Sequence, residues 1–91
     1  MAWLEITFKI MPQGPDADLK KIALAAKKEI ELFGGIIRSE TTEPVAFGIK
    51  AILITFSLNE TKGTTDPLEE KLTNIPEVNR VDISHITRAL G

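Results

Sequence analysis

From residue 4 to residue 10 every second side chain is apolar, Leu4, Ile6, Phe8 and Ile10, with Glu5, Thr7 and Lys9 between them. A period of two predicts a β-strand with one covered face. Met11-Pro12-Gln13-Gly14-Pro15-Asp16 ends it, because the prolines remove backbone donors and the glycine favours a turn. Leu19, Ile22, Ala26, Ile30 and Phe33 then recur at intervals of three and four, while Lys20, Lys21, Lys27, Lys28 and Glu31 occupy other faces, which predicts an amphipathic helix. Asp16 or Asp18 can cap its first amides, and Gly34-Gly35 suits its end.

Residues 36–42 predict a second strand, although adjacent Ile36 and Ile37 blur its period. Glu43-Pro44-Val45-Ala46-Phe47-Gly48 reads as a connection bounded by a proline and a glycine. Residues 49–58 form a long apolar run with Ile52, Ile54, Phe56 and Leu58 on one parity, as expected of a central strand. A polar loop over 59–64 leads to Thr65-Asp66-Pro67-Leu68-Glu69, which places a helix start at Pro67 with a Glu three residues after its cap. Leu68, Leu72 and Ile75 give that helix a narrow stripe, and Pro76 stops it. Residues 78–88 close the chain as a fourth strand, where Val81, Ile83 and His85 share one parity and Ile86 takes the other, so a bulge is expected at His85-Ile86. With right-handed crossovers, this order interleaves two β-α-β units into an α+β, ferredoxin-like βαββαβ sandwich: a four-stranded antiparallel sheet with two helices on one face. The architecture hosts many unrelated functions and names none.

Composition narrows the field. At 91 residues, one domain over 1–91 is expected. The absence of cysteine excludes disulfide and thiolate-metal chemistry and suits a reducing cytoplasm. The alternating start differs from a signal-peptide core, and neither an export signal nor a membrane span is expected. Eleven basic against thirteen acidic side chains give a formal charge of −2, the wrong sign for affinity built on neutralising phosphates, so direct nucleic-acid binding is not expected. RNA recognition on this fold would also need exposed aromatics on the central strands. Phe8 and Phe56 share the covered parities, which leaves Trp3 as the exposed ring.

Candidate chemistry is sparse. His85 is the only histidine, and Asp82 and Ser84 do not share its face on a regular strand, so it reads as a solvent-facing or sheet-edge residue. Phosphate-loop, dinucleotide and nucleophile-elbow spacings do not occur, and Glu69-Glu70 sits in a first helical turn, where the helix dipole accounts for it. No catalytic residue, metal ligand or cofactor is expected. Phe47 lies outside every periodic run; it either folds back over the sheet edge or serves a partner. Arg88 is either a solvated strand-end cation or a functional one.

Four segments carry a family resemblance: Lys-Ile-Met-Pro-Gln-Gly-Pro-Asp-Ala-Asp-Leu at 9–19, Glu-Pro-Val-Ala-Phe-Gly-Ile-Lys-Ala-Ile at 43–52, Gly-Thr-Thr-Asp-Pro-Leu-Glu-Glu at 63–70 and Val-Asp-Ile-Ser-His-Ile-Thr-Arg at 81–88. In order and nearly end to end, the chain resembles the archaeal translation elongation factor 1-beta family. The resemblance implies a guanine-nucleotide exchange domain, without the long N-terminal extension of eukaryotic relatives, that releases GDP from elongation factor 1-alpha, performs no covalent chemistry and is monomeric when free. In the eukaryotic relatives a phenylalanine after Pro-Ile-Gly enters a pocket of the partner's G domain, and a lysine near the C-terminus reaches toward its magnesium. The implied partner-binding residues are therefore Pro44, Phe47, Gly48 and Arg88. Arg88 stands where the lysine would be, keeping the charge but not the compact ammonium. Two other readings fit the architecture. A small-ligand-binding regulatory domain would dimerise through a sheet edge and hold its ligand at an interface. Acyl-phosphate hydrolysis would need an arginine in the loop after the first strand, where Pro12-Gln13-Gly14-Pro15 has none.

Overall fold

The computed structural model describes residues 2–90, with side chains in the last strand as far as Arg88. Met1 and Gly91, the ends of the expected domain, lie outside the described residues. Strand β1 (Ala2–Pro12), helix α1 (Leu19–Phe33), strands β2 (Ile36–Ala46) and β3 (Ile49–Asn59), helix α2 (Asp66–Thr73) and strand β4 (Val78–Leu90) follow in order, with a 3-10 turn at Glu60–Lys62. The sheet runs β2-β3-β1-β4 with every neighbouring pair antiparallel, the ferredoxin-like topology that the alternating patterns predict.

The even positions of β1 and β3 meet the helices. Ile6, Phe8, Ile10, Ile52, Ile54, Phe56 and Leu58 form one buried cluster with Ile22, Ala23, Ala26 and Ile30 of α1 and Leu68 and Leu72 of α2. At its centre the rings of Phe8 and Phe56 pack edge to face, centroids 5.0 Å apart at 72°, a geometry that matches ring edge to ring face electrostatically. Asp18, not Asp16, caps α1: its carboxylate accepts from the Lys21 amide at 3.2 Å. The helix closes through the Gly34 and Gly35 amides, which donate to the Glu31 and Ile30 carbonyls. Gly35 is needed for close approach, since a Cβ there would lie 2.6 Å from Ile30 Cγ2 and 3.0 Å from Phe56 Cδ2.

Several boundaries move. Helix α2 begins at Asp66, one residue before the expected Pro67, with Thr65 at the cap. The Thr65 hydroxyl donates to Glu69 Oε2 at 2.9 Å, so the two side chains bond each other instead of forming a reciprocal box with the backbone. The helix ends at Thr73, ahead of Pro76, and Ile75 still packs against the core. The β4 bulge falls at Ser84 and not at His85-Ile86: Thr7 pairs with His85, then Phe8 with Ile83. One extra residue restores the parity of Ile86, so Val81, Ile83 and Ile86 oppose Ile10, Phe8 and Ile6 on the helix side. It also turns His85 to the open side together with Asp82, which opposes Lys9. Asp82 therefore does share a face with His85, contrary to regular-strand parity, but its carboxylate is paired with Arg80 at 3.0 Å.

The open side of the sheet is tightly hemmed where β3 is central. Ala51 is fully buried and Ser57 nearly so, with Arg38 Nε donating to Ser57 Oγ at 2.8 Å and the Thr7 and Thr55 hydroxyls 2.8 Å apart. Leu53, between Lys9 and Thr41, is half-buried there. Leu53→Asp is expected to cost about 1 kcal/mol, half the transfer free energy of a leucine side chain, measurable as a lower urea midpoint at unchanged slope. An unshifted midpoint would show that this face is open to solvent.

Candidate functional site

The segment 43–48 is not the loop its proline and glycine suggest. β2 continues through Ala46 and β3 starts at Ile49, leaving Phe47-Gly48 as a two-residue turn closed by the Ala46–Ile49 pair. Pro44 is tolerated because β2 is an edge strand, where a missing amide donor on the outer side breaks no ladder bond. Val45 is the extra residue in the register between Pro44 and Ala46. The β1–β3 pairing ends at Ile10–Ile52, so the hairpin reaches on as a two-stranded ribbon, its turn beside the β1–α1 loop: a Cβ on Gly48 would lie 3.8 Å from Pro15 Cβ.

Phe47 and Gly48 have φ of 54° and 77°. Positive φ at both central residues marks a type I′ hairpin turn, which asparagine or aspartate followed by glycine ordinarily occupies. Gly48 adopts that backbone without strain. Phe47 does not: a bulky residue in the left-handed region is an outlier. Its ring is 95% exposed, so it does not fold back over the sheet edge. Val45, two residues earlier, is exposed as well. A strained apolar ring is thus held out at the end of a ribbon whose strands fix its position.

Arg88 opposes Leu4 in β4 and lies on the helix side of the sheet. It is exposed, but it is not simply solvated. Its Nε donates to Glu60 Oε2 at 2.9 Å and its Nη2 to Glu60 Oε1 at 3.1 Å, a fork-to-fork pair with the 3-10 turn. The hydrogen bond and the charge of Glu60 raise the guanidinium pKa above its ordinary value. Glu60 escapes a reading of the sequence, because a single glutamate in a polar loop carries no local signal; only the fold brings it to a strand end 28 residues away.

The structure does not gather the predicted residues into one site. Pro44, Phe47 and Gly48 occupy one end of the sheet. Arg88 stands across from Leu4, which pairs with Leu58 at the other end. From Leu58 to Phe47 the strand runs about 35 Å at roughly 3.3 Å per residue, most of the 42 Å length of the molecule. Trp3 is half-buried on the open side. A shallow groove between α1 and the 75–77 turn is lined by Asp18, Lys21, Ile22, Ala25, Ile75 and Glu77, and its two carboxylates already accept from backbone amides, Glu77 from Asp18 at 2.9 Å and Asp18 from Lys21 at 3.2 Å. Among the described residues no group of three or more His, Asp or Glu side chains could hold a metal ion, and no helix is long and apolar enough to cross a membrane.

Comparison with known proteins bears on this arrangement. Residues 5–89 match the family model described as the EF-1 guanine nucleotide exchange domain. Elongation factor 1-beta of Metallosphaera sedula is 37% identical over 84 residues, covering 91% of both chains. Elongation factor 1-beta of Methanocaldococcus jannaschii is 34% identical, covering 98% of this chain and all of that one. Among solved structures, the ACT domain from GTP pyrophosphokinase of Chlorobium tepidum superposes with a TM-score of 0.61 at 19% identity, over 91% of this chain and 99% of the other. The C-terminal domain of the MgtC protein from Mycobacterium tuberculosis reaches 0.63 at 12% identity, over 96% and 87%. These two likenesses are of fold alone.

Proposed function

Because this chain belongs to the EF-1 guanine nucleotide exchange family, and is thus a guanine-nucleotide exchange factor of translation elongation, we propose that it acts on elongation factor 1-alpha, using Phe47 at one end of its sheet and Arg88 at the other. Residues 1–91 work as a single exchange domain, monomeric when free, in the cytoplasm. The domain carries no cofactor and makes or breaks no covalent bond. Its effect is on a dissociation: a partner that it binds more tightly without GDP must lose GDP affinity by the same coupling free energy.

Phe47 carries this reading. An exposed aromatic ring forgoes burial, a cost recovered if the ring enters an apolar pocket of the partner, and the left-handed backbone at Phe47 is strain borne to hold the ring outward. Pro44 and Gly48 support it, Gly48 by allowing the turn and Pro44 by stiffening the ribbon. In the G domain GDP is held through phosphate contacts and magnesium, which share one small site; with about 35 Å between the two side chains, Arg88 would disturb the charge around the metal while Phe47 anchors the chain in a separate apolar pocket. The small-ligand regulatory alternative is not favoured, since the exchange-family match spans nearly the whole chain.

Release of labelled GDP from an archaeal elongation factor 1-alpha tests the function. Acceleration that saturates with added chain is expected; unchanged release at saturation would overturn it. For Arg88, Arg88→Ala is expected to lower kcat/KM on the order of tenfold, the size of one charge-assisted contact, and Arg88→Lys to restore part of the loss. Removing magnesium should shrink the gap between wild type and Arg88→Ala if the cation acts at the metal. Equal exchange by the two proteins with and without magnesium would return Arg88 to an ordinary surface role.

A further inference from the structure

The guanidinium of Arg88 is not free to meet a partner. Its Nε and Nη2 are both committed to the two oxygens of Glu60, at 2.9 and 3.1 Å. The carboxylate comes from a turn closed on both sides: Asn59 Oδ1 accepts from the Thr61 amide at 3.0 Å and the Thr61 hydroxyl at 2.8 Å, and the Gly63 amide donates to the Glu60 carbonyl. The guanidinium edge that grips a carboxylate in this way is the same edge that would grip a phosphate or carboxylate of another molecule. It serves one such anion at a time.

We infer that Glu60 is a built-in competitor for Arg88: on complex formation the guanidinium edge leaves the Glu60 carboxylate for an anionic group of the partner, and Glu60 thereby sets the affinity of the encounter. The inference rests on the exchange function proposed above. The partner binds only the fraction of chains in which the edge is released, so its apparent affinity falls by that fraction. Both side chains are partly solvent-exposed, and exposed ion pairs are weak. The latch is therefore soft, opening readily while still holding the long side chain off other anions. A closed pair also presents little net charge at a distance, so the latch limits electrostatic attraction until the two proteins touch.

The test is a double-mutant cycle in stimulated GDP release, using wild type, Glu60→Gln, Arg88→Ala and the double variant, with elongation factor 1-alpha as the varied substrate. Glu60→Gln is expected to lower KM by roughly two- to fivefold, the worth of an exposed pair, with kcat within about twofold and Tm within about 2 °C. The gain should vanish in the Arg88→Ala background. It should also narrow at raised salt, where screening loosens the wild-type pair. Glu60→Ala, which removes the amide as an acceptor too, should behave like Glu60→Gln. An unchanged or raised KM in Glu60→Gln, or an equal gain without Arg88, would overturn the inference. Failure of the wild-type chain to stimulate release would overturn the exchange function itself, whereas an active wild type with a null cycle removes only the role of Glu60.

Discussion

Phe47→Ala is expected to lower kcat/KM for stimulated GDP release by roughly 30- to 1,000-fold, the range for an aromatic anchor truncated from a desolvated pocket, and to leave the thermal midpoint nearly unchanged. The asymmetry follows from the ring's position. At 95% exposure it contributes almost nothing to the core, so its removal creates no cavity. A second substitution separates the ring from the backbone beneath it. Phe47→Asn restores the residue that a type I′ turn favours before glycine; a several-fold preference for the left-handed region predicts a stability gain of about 0.5–1 kcal/mol, or about 2–8 °C for a domain of this size. Exchange should be as poor as in Phe47→Ala. Stopped-flow release and calorimetry on the same preparations read both quantities. Full activity in either variant would remove Phe47 from the mechanism, and a loss of about 3–5 kcal/mol would mean that the ring packs like a core phenylalanine.

Phe56→Ala should do the reverse. Its ring is fully buried on the helix side of β3 and meets Phe8 edge to face. Truncation is expected to cost about 3–5 kcal/mol in transfer and cavity terms, and Phe8 is left without its ring partner. Against a total of about 5–15 kcal/mol for a domain, that is a large share. The midpoint should fall by at least about 12 °C, read by far-ultraviolet dichroism. At low temperature, exchange per folded molecule should stay close to wild type, because the ring lies inside the sandwich and away from either proposed interaction with the partner. A stable Phe56→Ala protein with impaired exchange would contradict the division of labour between the two rings.

The alternation through Ile6, Phe8 and Ile10, the three-and-four spacing from Leu19 to Phe33 and the parity of Ile52 to Leu58 specify the core of the fold, and the structure buries those side chains together. Local chemistry is equally informative at the first helix cap, where Asp18 does what one of two nearby aspartates has to do. Phe47 stands out in the sequence because no period accounts for it. Pro44 and Gly48 mislead at the same place: both read as loop formers, whereas the edge position of β2 accommodates the proline and the tight turn requires the glycine.

Periodicity is a property of neighbours along the chain, so it carries the covered face of each strand and helix and, through handedness, the order in which they stack. Register, bulge position and partners across strand ends depend on backbone pairing between segments far apart. A single extra residue at Ser84 reverses the facing of His85 and aligns Ile86 with the core side. Tertiary structure alone decides that Phe47 is held outward in a strained turn, that Glu60 grips Arg88, and that Pro44, Phe47 and Gly48 stand at the opposite end of the sheet from Arg88. The physical reason is that each depends on where a strand ends relative to its neighbour, which no window of adjacent residues encodes.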